Sequence, residues 1–249
     1  MEHFVLLAAA GLLAGAMNAI AGGGSFVSFP AMVAAGLPPV VANVSSTVAL
    51  FPGTIASCLA YRRGFGQVRK VRIRTMLPVT LAGGLVGAVL LLATPARLFD
   101  VVIPFLLLLA TLTFAFGARA GLALRRAAPV GPAAMLPMQF LISIYGGYFG
   151  GAVGLMMMAM WSLLTANADL KAMAPARMLL VSAANGAAVV WFITAGAVRW
   201  PETLAMLSAS VVGGYLAAQL TLRLPTGVVR GFVVAMTATV TIAFFVRAM

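Results

Sequence analysis

Met76-Leu77-Pro78-Val79-Thr80-Leu81-Ala82-Gly83-Gly84-Leu85-Val86-Gly87-Ala88-Val89-Leu90-Leu91-Leu92 decides the fold, because seventeen consecutive residues carry no charge. As a helix such a run is apolar on every face, and ~20 residues of this kind cross the hydrocarbon core of a bilayer. Similar runs recur at Val101–Gly117, Leu204–Leu222 and Val228–Val246. Of 249 residues 63% are hydrophobic and 8% charged, whereas roughly a quarter of the residues of a soluble domain are charged. A soluble fold is therefore excluded. A transmembrane β-barrel is disfavoured too, since its ~10-residue segments alternate apolar and polar side chains. The first apolar run lacks a basic leader and is not followed by polar sequence, so it reads as a retained span and not as a signal peptide.

The net charge of +12 does not point to nucleic acid, because no soluble domain is present to display a basic face. The cations cluster between spans, at Arg62, Arg63, Arg69, Lys70, Arg72 and Arg74, and again at Arg119, Arg125 and Arg126. Clusters of this kind set orientation in the membrane, with the basic loops in the cytoplasm. Cys58 stands alone and His3 is the single histidine. Neither an intrachain disulfide nor a transition-metal site can be assembled, and no cofactor is expected.

The opening stretch also has an echo. Ala82-Gly83-Gly84 precedes Pro95 by the interval at which Val212-Gly213-Gly214 precedes Pro225, and Gly24 stands to Gly154 as residue 82 stands to 212. A slip of three residues, assigned to Thr165–Asp169, then brings Gly53 onto Gly186. Landmarks in the same order at one offset predict a duplicated unit, the habit of transporters. The expected elements are Phe4–Ile20, a short Phe26–Ala35, Ala42–Tyr61, Met76–Leu92 and Arg97–Gly117. Pro132–Phe149, a short Leu155–Ala166, Ala174–Ala195, Glu202–Leu222 and Thr226–Val246 follow. The fold class is thus all-α and polytopic, with about eight transmembrane helices and two short, broken or re-entrant ones. Residues 1–118 form the first four-helix unit, 119–131 a basic cytoplasmic linker, and 132–249 a second, inverted unit. With the basic loops inside, both termini lie outside.

Backbone that leaves helical geometry at membrane depth is tolerated only where protein or a wet cavity covers it, so the breaks are the candidate sites. Asn18 precedes the break Gly22-Gly23-Gly24-Ser25. A second break, Leu37-Pro38-Pro39, delivers Asn43, Ser45, Ser46 and Thr47 to the first turns of the next helix. Unpaired N–H groups and the positive end of the helix dipole favour an anion there. The competing reading is that the glycines only permit close packing and the hydroxyls bond back to their own helix. The second half offers Gly151 and Gly154 in its glycine-rich stretch, then Pro175-Ala176-Arg177, with Asn185 two turns further on. Arg177, just inside a span, either faces a pathway or snorkels to the interface. The four acids, Glu2, Asp100, Asp169 and Glu202, all fall near span ends. A cation pathway and a catalytic base are accordingly not expected.

Asn18-Ala19-Ile20-Ala21-Gly22-Gly23-Gly24-Ser25, Phe29-Pro30, Gly36-Leu37-Pro38-Pro39 and Ala42-Asn43-Val44-Ser45-Ser46-Thr47, taken in order, resemble the TauE/SafE sulfite exporter family of bacterial inner-membrane permeases. The resemblance extends more loosely to Gly150-Gly151-Ala152-Val153-Gly154 and Pro175-Ala176-Arg177. It implies transport of sulfite or an organosulfur anion such as sulfoacetate. Gly22–Ser25 and Asn43–Thr47 would desolvate the anion near the midplane, with Arg177 or Asn185 opposing from the other repeat. The partners expected are this small anion and the lipid bilayer, with a homodimer conceivable through the paired glycines. An anion channel, or a membrane subunit that moves nothing itself, is the alternative.

Overall fold

The computed structural model of the chain describes residues 2–21, 23–60, 67–68, 71–127, 132–164, 173–221 and 226–248, near several helix ends by backbone alone. Nearly all of these are helical. The helices are α1 (Glu2–Ala21), α2 (Ser25–Ala34), α3 (Pro39–Ala60), α4 (Ile73–Ala93), α5 (Ala96–Ala127), α6 (Met135–Tyr148), α7 (Val153–Leu164), α8 (Ala174–Thr194), α9 (Trp200–Thr221) and α10 (Thr226–Ala248). A two-residue hairpin, β1 (Gln67–Val68) against β2 (Val71–Arg72), precedes α4.

Within α3, α4, α5 and α8 the segments Pro39–Leu59, Ile73–Ala93, Ala96–Thr113 and Pro175–Thr194 are long and apolar enough to cross a membrane. The two short elements are present as expected: α2 has 10 residues and α7 has 12. At 1.5 Å per residue they reach about half of a ~30 Å hydrocarbon core. Several boundaries differ from the sequence expectation, with α3 and α4 each starting three residues early, at Pro39 and Ile73. Helix α5 does not stop at Gly117 but continues to Ala127, because the Ala, Leu and Arg residues beyond Gly117 are good helix formers with no proline among them. Most of the expected linker 119–131 is therefore helical. Helix α6 begins only at Met135, after a 3-10 turn at Pro132–Ala134.

Among the described residues many large apolar side chains are exposed. Leu98, Val101, Phe105, Leu109, Leu112 and Phe116 form an exposed stripe along α5. Water would not tolerate such a face, and a lipid solvent requires it.

Helices from the two halves of the chain pack together more closely than helices within a half. α1 lies against α9 and α4 against α6, each pair running parallel. Both seams are built on glycine. At the α4–α6 seam a Cβ at Gly147 would run into Gly84 and one at Gly87 into Ile144, while a Cβ at Gly84 would stand 2.5 Å from the Ala184 carbonyl oxygen of α8. Across α1 and α9, Gly15 meets Ser210 and Gly213 meets Leu12 in the same way. Small residues let helix backbones approach and gain dispersion contact that lipid cannot supply. The contacts resolve into two bundles, one of α1, α2, α3 and α9, the other of α6, α7, α8 and α4. Helices α3 and α8 join them, crossing antiparallel where the Phe51 ring covers Gly186 and Ser182 Oγ donates to the Thr54 carbonyl at 3.4 Å. Helices α5 and α10 also pack on each other, with Thr111 and Thr241 joined by a 3.0 Å hydroxyl hydrogen bond.

Candidate functional site

Helix α2 ends because Gly36 adopts φ +93°. That left-handed turn lets the Leu37 N–H reach the Met32 carbonyl and the Gly36 N–H the Val33 carbonyl, a glycine-dependent helix stop. Pro38 and Pro39 follow. Proline is favoured in the first turn of a helix, where its missing N–H is no loss, so α3 starts here and its polar opening turns face inward.

Asn43, Ser45, Ser46 and Thr47 are all buried. The Asn43 amide donates to the Tyr148 carbonyl at 2.8 Å. Ser45 Oγ accepts the backbone N–H of Arg199 at 3.1 Å, and Ser46 shares a 2.6 Å hydrogen bond with Ser28. Thr47 bonds back to the Asn43 carbonyl at 2.9 Å. Three of the four thus reach another element, and Asn43 and Ser45 reach the other half of the chain. In the conformation described, these groups close on protein partners.

The element that receives Asn43 is the second-half break. Helix α6 ends at Tyr148, and the chain turns through Gly150 at φ +78° and Ala152 at φ +59° before α7 begins. Ala152 is buried in the left-handed region, a conformation costing an L side chain roughly 1–2 kcal/mol. Such strain persists where the surroundings over-determine it, commonly at functional sites. A Cβ at Gly150 would contact Thr47 Oγ1 at 3.5 Å, so α3's opening turns sit directly on this break. Gly151 is pinned beneath the Phe149 ring.

On the far side of the same break lies Arg177. Its stem crosses Gly154 in the first turn of α7, with Cδ at 3.4 Å and Cγ at 3.7 Å from a Cβ built there. The stem of Arg177 thus packs on the first turn of α7. Asn185 lies two turns along α8, beside Gly186 at the crossing with α3, and its Oδ1 is buried without a hydrogen-bond partner. An amide oxygen and nitrogen are interchangeable by a flip, so this group can offer either a donor or an acceptor.

The first-half break is packed differently. Gly22 lies outside the described residues. Gly23 and Gly24 are buried and Ser25 half-buried, and the Gly23 and Gly24 carbonyls accept the first N–H groups of α2. A Cβ at Gly24 would come within 2.5 Å of the Ala14 carbonyl and 2.9 Å of Asn18, so this glycine serves the close return of α2 along α1. Of the residues singled out in the sequence, Asn43 and Thr47 meet the α6–α7 break at Tyr148 and Gly150, Arg177 meets it at Gly154, and Gly23, Gly24 and Ser25 lie at the other break; the partners were not foreseen. Tyr148 and Arg199 contribute backbone groups, which no residue pattern announces. Gln139 is a different omission. It is fully buried, donates to Thr80 at 2.9 Å, and leaves its Oε1 unpartnered; a lone amide in an apolar run was a readable signal.

The family model described as Sulfite exporter TauE/SafE matches residues 7–244. A protein of Haemophilus influenzae named "Probable membrane transporter protein" is 27% identical over 240 residues, 95% of this chain and 92% of the relative. "Probable membrane transporter protein ORF9" of a Sinorhizobium species is 31% identical over 214 residues, covering 84% and 78% respectively. "Probable membrane transporter protein YfcA" of Escherichia coli strain K12 is 26% identical over 228 residues, 91% of this chain and 84% of the relative. No solved structure matches the chain at a significant level.

Proposed function

The chain belongs to the sulfite exporter TauE/SafE family of membrane transporters, and we propose that its cargo is sulfite or an organosulfur anion such as sulfoacetate, carried across a bacterial inner membrane by alternating access. The observation that carries this reading is the convergence on one helix break. Asn43 and Thr47 of α3 approach it from one side, and Arg177 of α8 lies over its α7 end from the other. An oxyanion leaving water needs donors and positive charge held in place. Neutral donors come from one bundle, a cation and a helix dipole from the other. Gly22, Gly23, Gly24 and Ser25, with Asn18, form the corresponding break of the first repeat, and Ser45, Ser46, Gly151 and Asn185 complete the shell.

Support for an inverted duplication comes from packing that survives exchange of the halves. α1 on α9 corresponds to α6 on α4, and Thr111 and Thr241, bonded to each other, are separated by the offset of the sequence landmarks. In this reading eight helices span the membrane, α2 and α7 are re-entrant, and the basic segments face the cytoplasm. The bodies that rock are the two swapped bundles, and not residues 1–118 against 132–249. Opening the site then requires parting Asn43 from Tyr148 and Phe51 from Gly186, while the glycine seams stay shut. Reconstitution in proteoliposomes tests the proposal. Sulfite flux should saturate, and sulfoacetate should compete with it. Unsaturated flux with an ohmic current would identify a channel instead, and no flux of either anion would remove the cargo assignment.

A further inference from the structure

Beside the α4–α6 seam the surface is furrowed. Pro78, Val79 and Ala82 of α4 and Leu136, Pro137 and Phe140 of α6 line an open cavity of about 530 Å³ with almost no polar surface. It lies on the bilayer-facing flank of two parallel helices whose N-termini, Ile73 and Met135, share one end of the molecule. Along the sequence the cations are densest just before and at the start of α4, from Arg62 to Arg74, and Arg74 stands exposed in the first turn of that helix.

Arg74, Pro78 and Ala82 follow one another at intervals of four, so they lie along one face of α4. Arg74 is exposed and has no carboxylate partner among the described residues, where the ion pair found is Arg199 with Glu202. Long side chains on a helix lean toward its N-terminus, which carries the guanidinium outward from the furrow to the interfacial level. Pro78 also lacks the N–H that the Arg74 carbonyl would accept from position i+4. The mouth of an apolar furrow therefore bears a cation and, beside it, a carbonyl short of its helical donor.

We infer that this furrow is a binding site for one anionic phospholipid, an acyl chain lying along Pro78, Ala82 and Phe140 and the phosphate paired with Arg74. The carbonyl favours a head that also carries hydroxyl donors, so phosphatidylglycerol is the probe of choice. Basic pockets between spans are known to hold anionic heads, each cation contributing about 1 kcal/mol.

Native mass spectrometry of the full-length protein from equimolar phosphatidylglycerol and phosphatidylcholine reads this directly. The unaltered chain should retain phosphatidylglycerol preferentially, and Arg74→Gln should cut that preference about five-fold. Ala82→Phe, which fills the furrow from an exposed position, should lose the retained lipid altogether. Arg97→Gln removes an exposed cation at the opposite end of α4 and α5 and should change nothing. Undiminished preference in Arg74→Gln, or an equal fall in Arg97→Gln, would overturn the proposal. If Ala82→Phe does not elute as a folded species, the two arginine variants decide alone. The readout does not involve transport, so it stands or falls apart from the cargo assignment.

Discussion

The halves of this chain meet at two kinds of interface, and their chemistry is opposite. Along α4–α6 and α1–α9, glycines bring backbone onto backbone, and no side chain can be interposed without collision. At the α3–α8 crossing, by contrast, one ring lies on one glycine and a serine reaches a carbonyl at 3.4 Å. Packed seams of the first kind have one arrangement, because small shifts forfeit many dispersion contacts at once. An interface of the second kind has little to lose by opening. On the function proposed above, the crossing is the interface that opens and the seams are the rigid parts.

The largest effect should follow from breaking a seam. Gly147→Leu drives a side chain into the Gly84 backbone, where neither partner can yield by changing a rotamer. Overpacking typically costs about 1–3 kcal/mol, and a clash with backbone falls at the upper end of that range. Loss of monodisperse protein in size-exclusion chromatography is expected, whereas Gly186→Ala, facing only the Phe51 ring, should remain folded. Equal tolerance at both sites would erase the distinction.

Next comes Arg177. Hydrogen bonds to charged groups contribute about 1.5–3 kcal/mol, so Arg177→Gln should lower kcat/KM for sulfite roughly ten- to hundred-fold without loss of folded protein. Arg177→Lys keeps the charge but not the planar fork, and should fall between the two. If both variants transport normally, Arg177 only snorkels, and the α8 side of the crossing loses its role.

The crossing itself can be held shut. In a Cys58→Ala background, Phe51→Cys with Gly186→Cys places two thiols across α3 and α8. A short reducible bis-thiol bridge should stop flux, and reduction should restore it. Persistent flux in the bridged protein would mean that the bundles do not part there.

Much of this arrangement was legible in the residues. Among the described residues the helices fall near the apolar runs and their Gly/Pro punctuation, α5 excepted in its run past Gly117, because in lipid every backbone group must be satisfied within its own segment and helix is the local solution. The short elements were legible for the same reason, since ten or so residues between glycine and proline breaks leave no other length. Partner choice was not. Nothing in Gly84 or Gly147 says which helix each will meet, so the swap of α4 and α9 between bundles came only with the structure. Nor could Asn43 and Ser45 disclose that their partners are the backbone of Tyr148 and Arg199, contacts set by chain geometry and independent of side-chain type.

The smallest effect concerns α5 and α10, and it tests whether their contact belongs with the seams or with the crossing. Thr241 already donates its hydroxyl hydrogen to the Thr237 carbonyl at 2.7 Å, so in the Thr111–Thr241 pair Thr111 must be the donor. Thr111→Val therefore strips one acceptor contact from Thr241 and strands no hydrogen. Thr241→Val leaves the Thr111 hydroxyl to turn back onto its own helix, as threonines in spans readily do. Interhelical hydrogen bonds in membranes average about 0.6 kcal/mol, so each single variant should lower the thermal midpoint only slightly. The double variant should cost less than the sum, since removing both partners leaves nothing unsatisfied. Flux should be unchanged in all three if α5 and α10 form a fixed frame around the moving bundles. A transport defect without a stability defect would instead place this pair at a second moving interface, and the division into rigid seams and one yielding crossing would have to be redrawn.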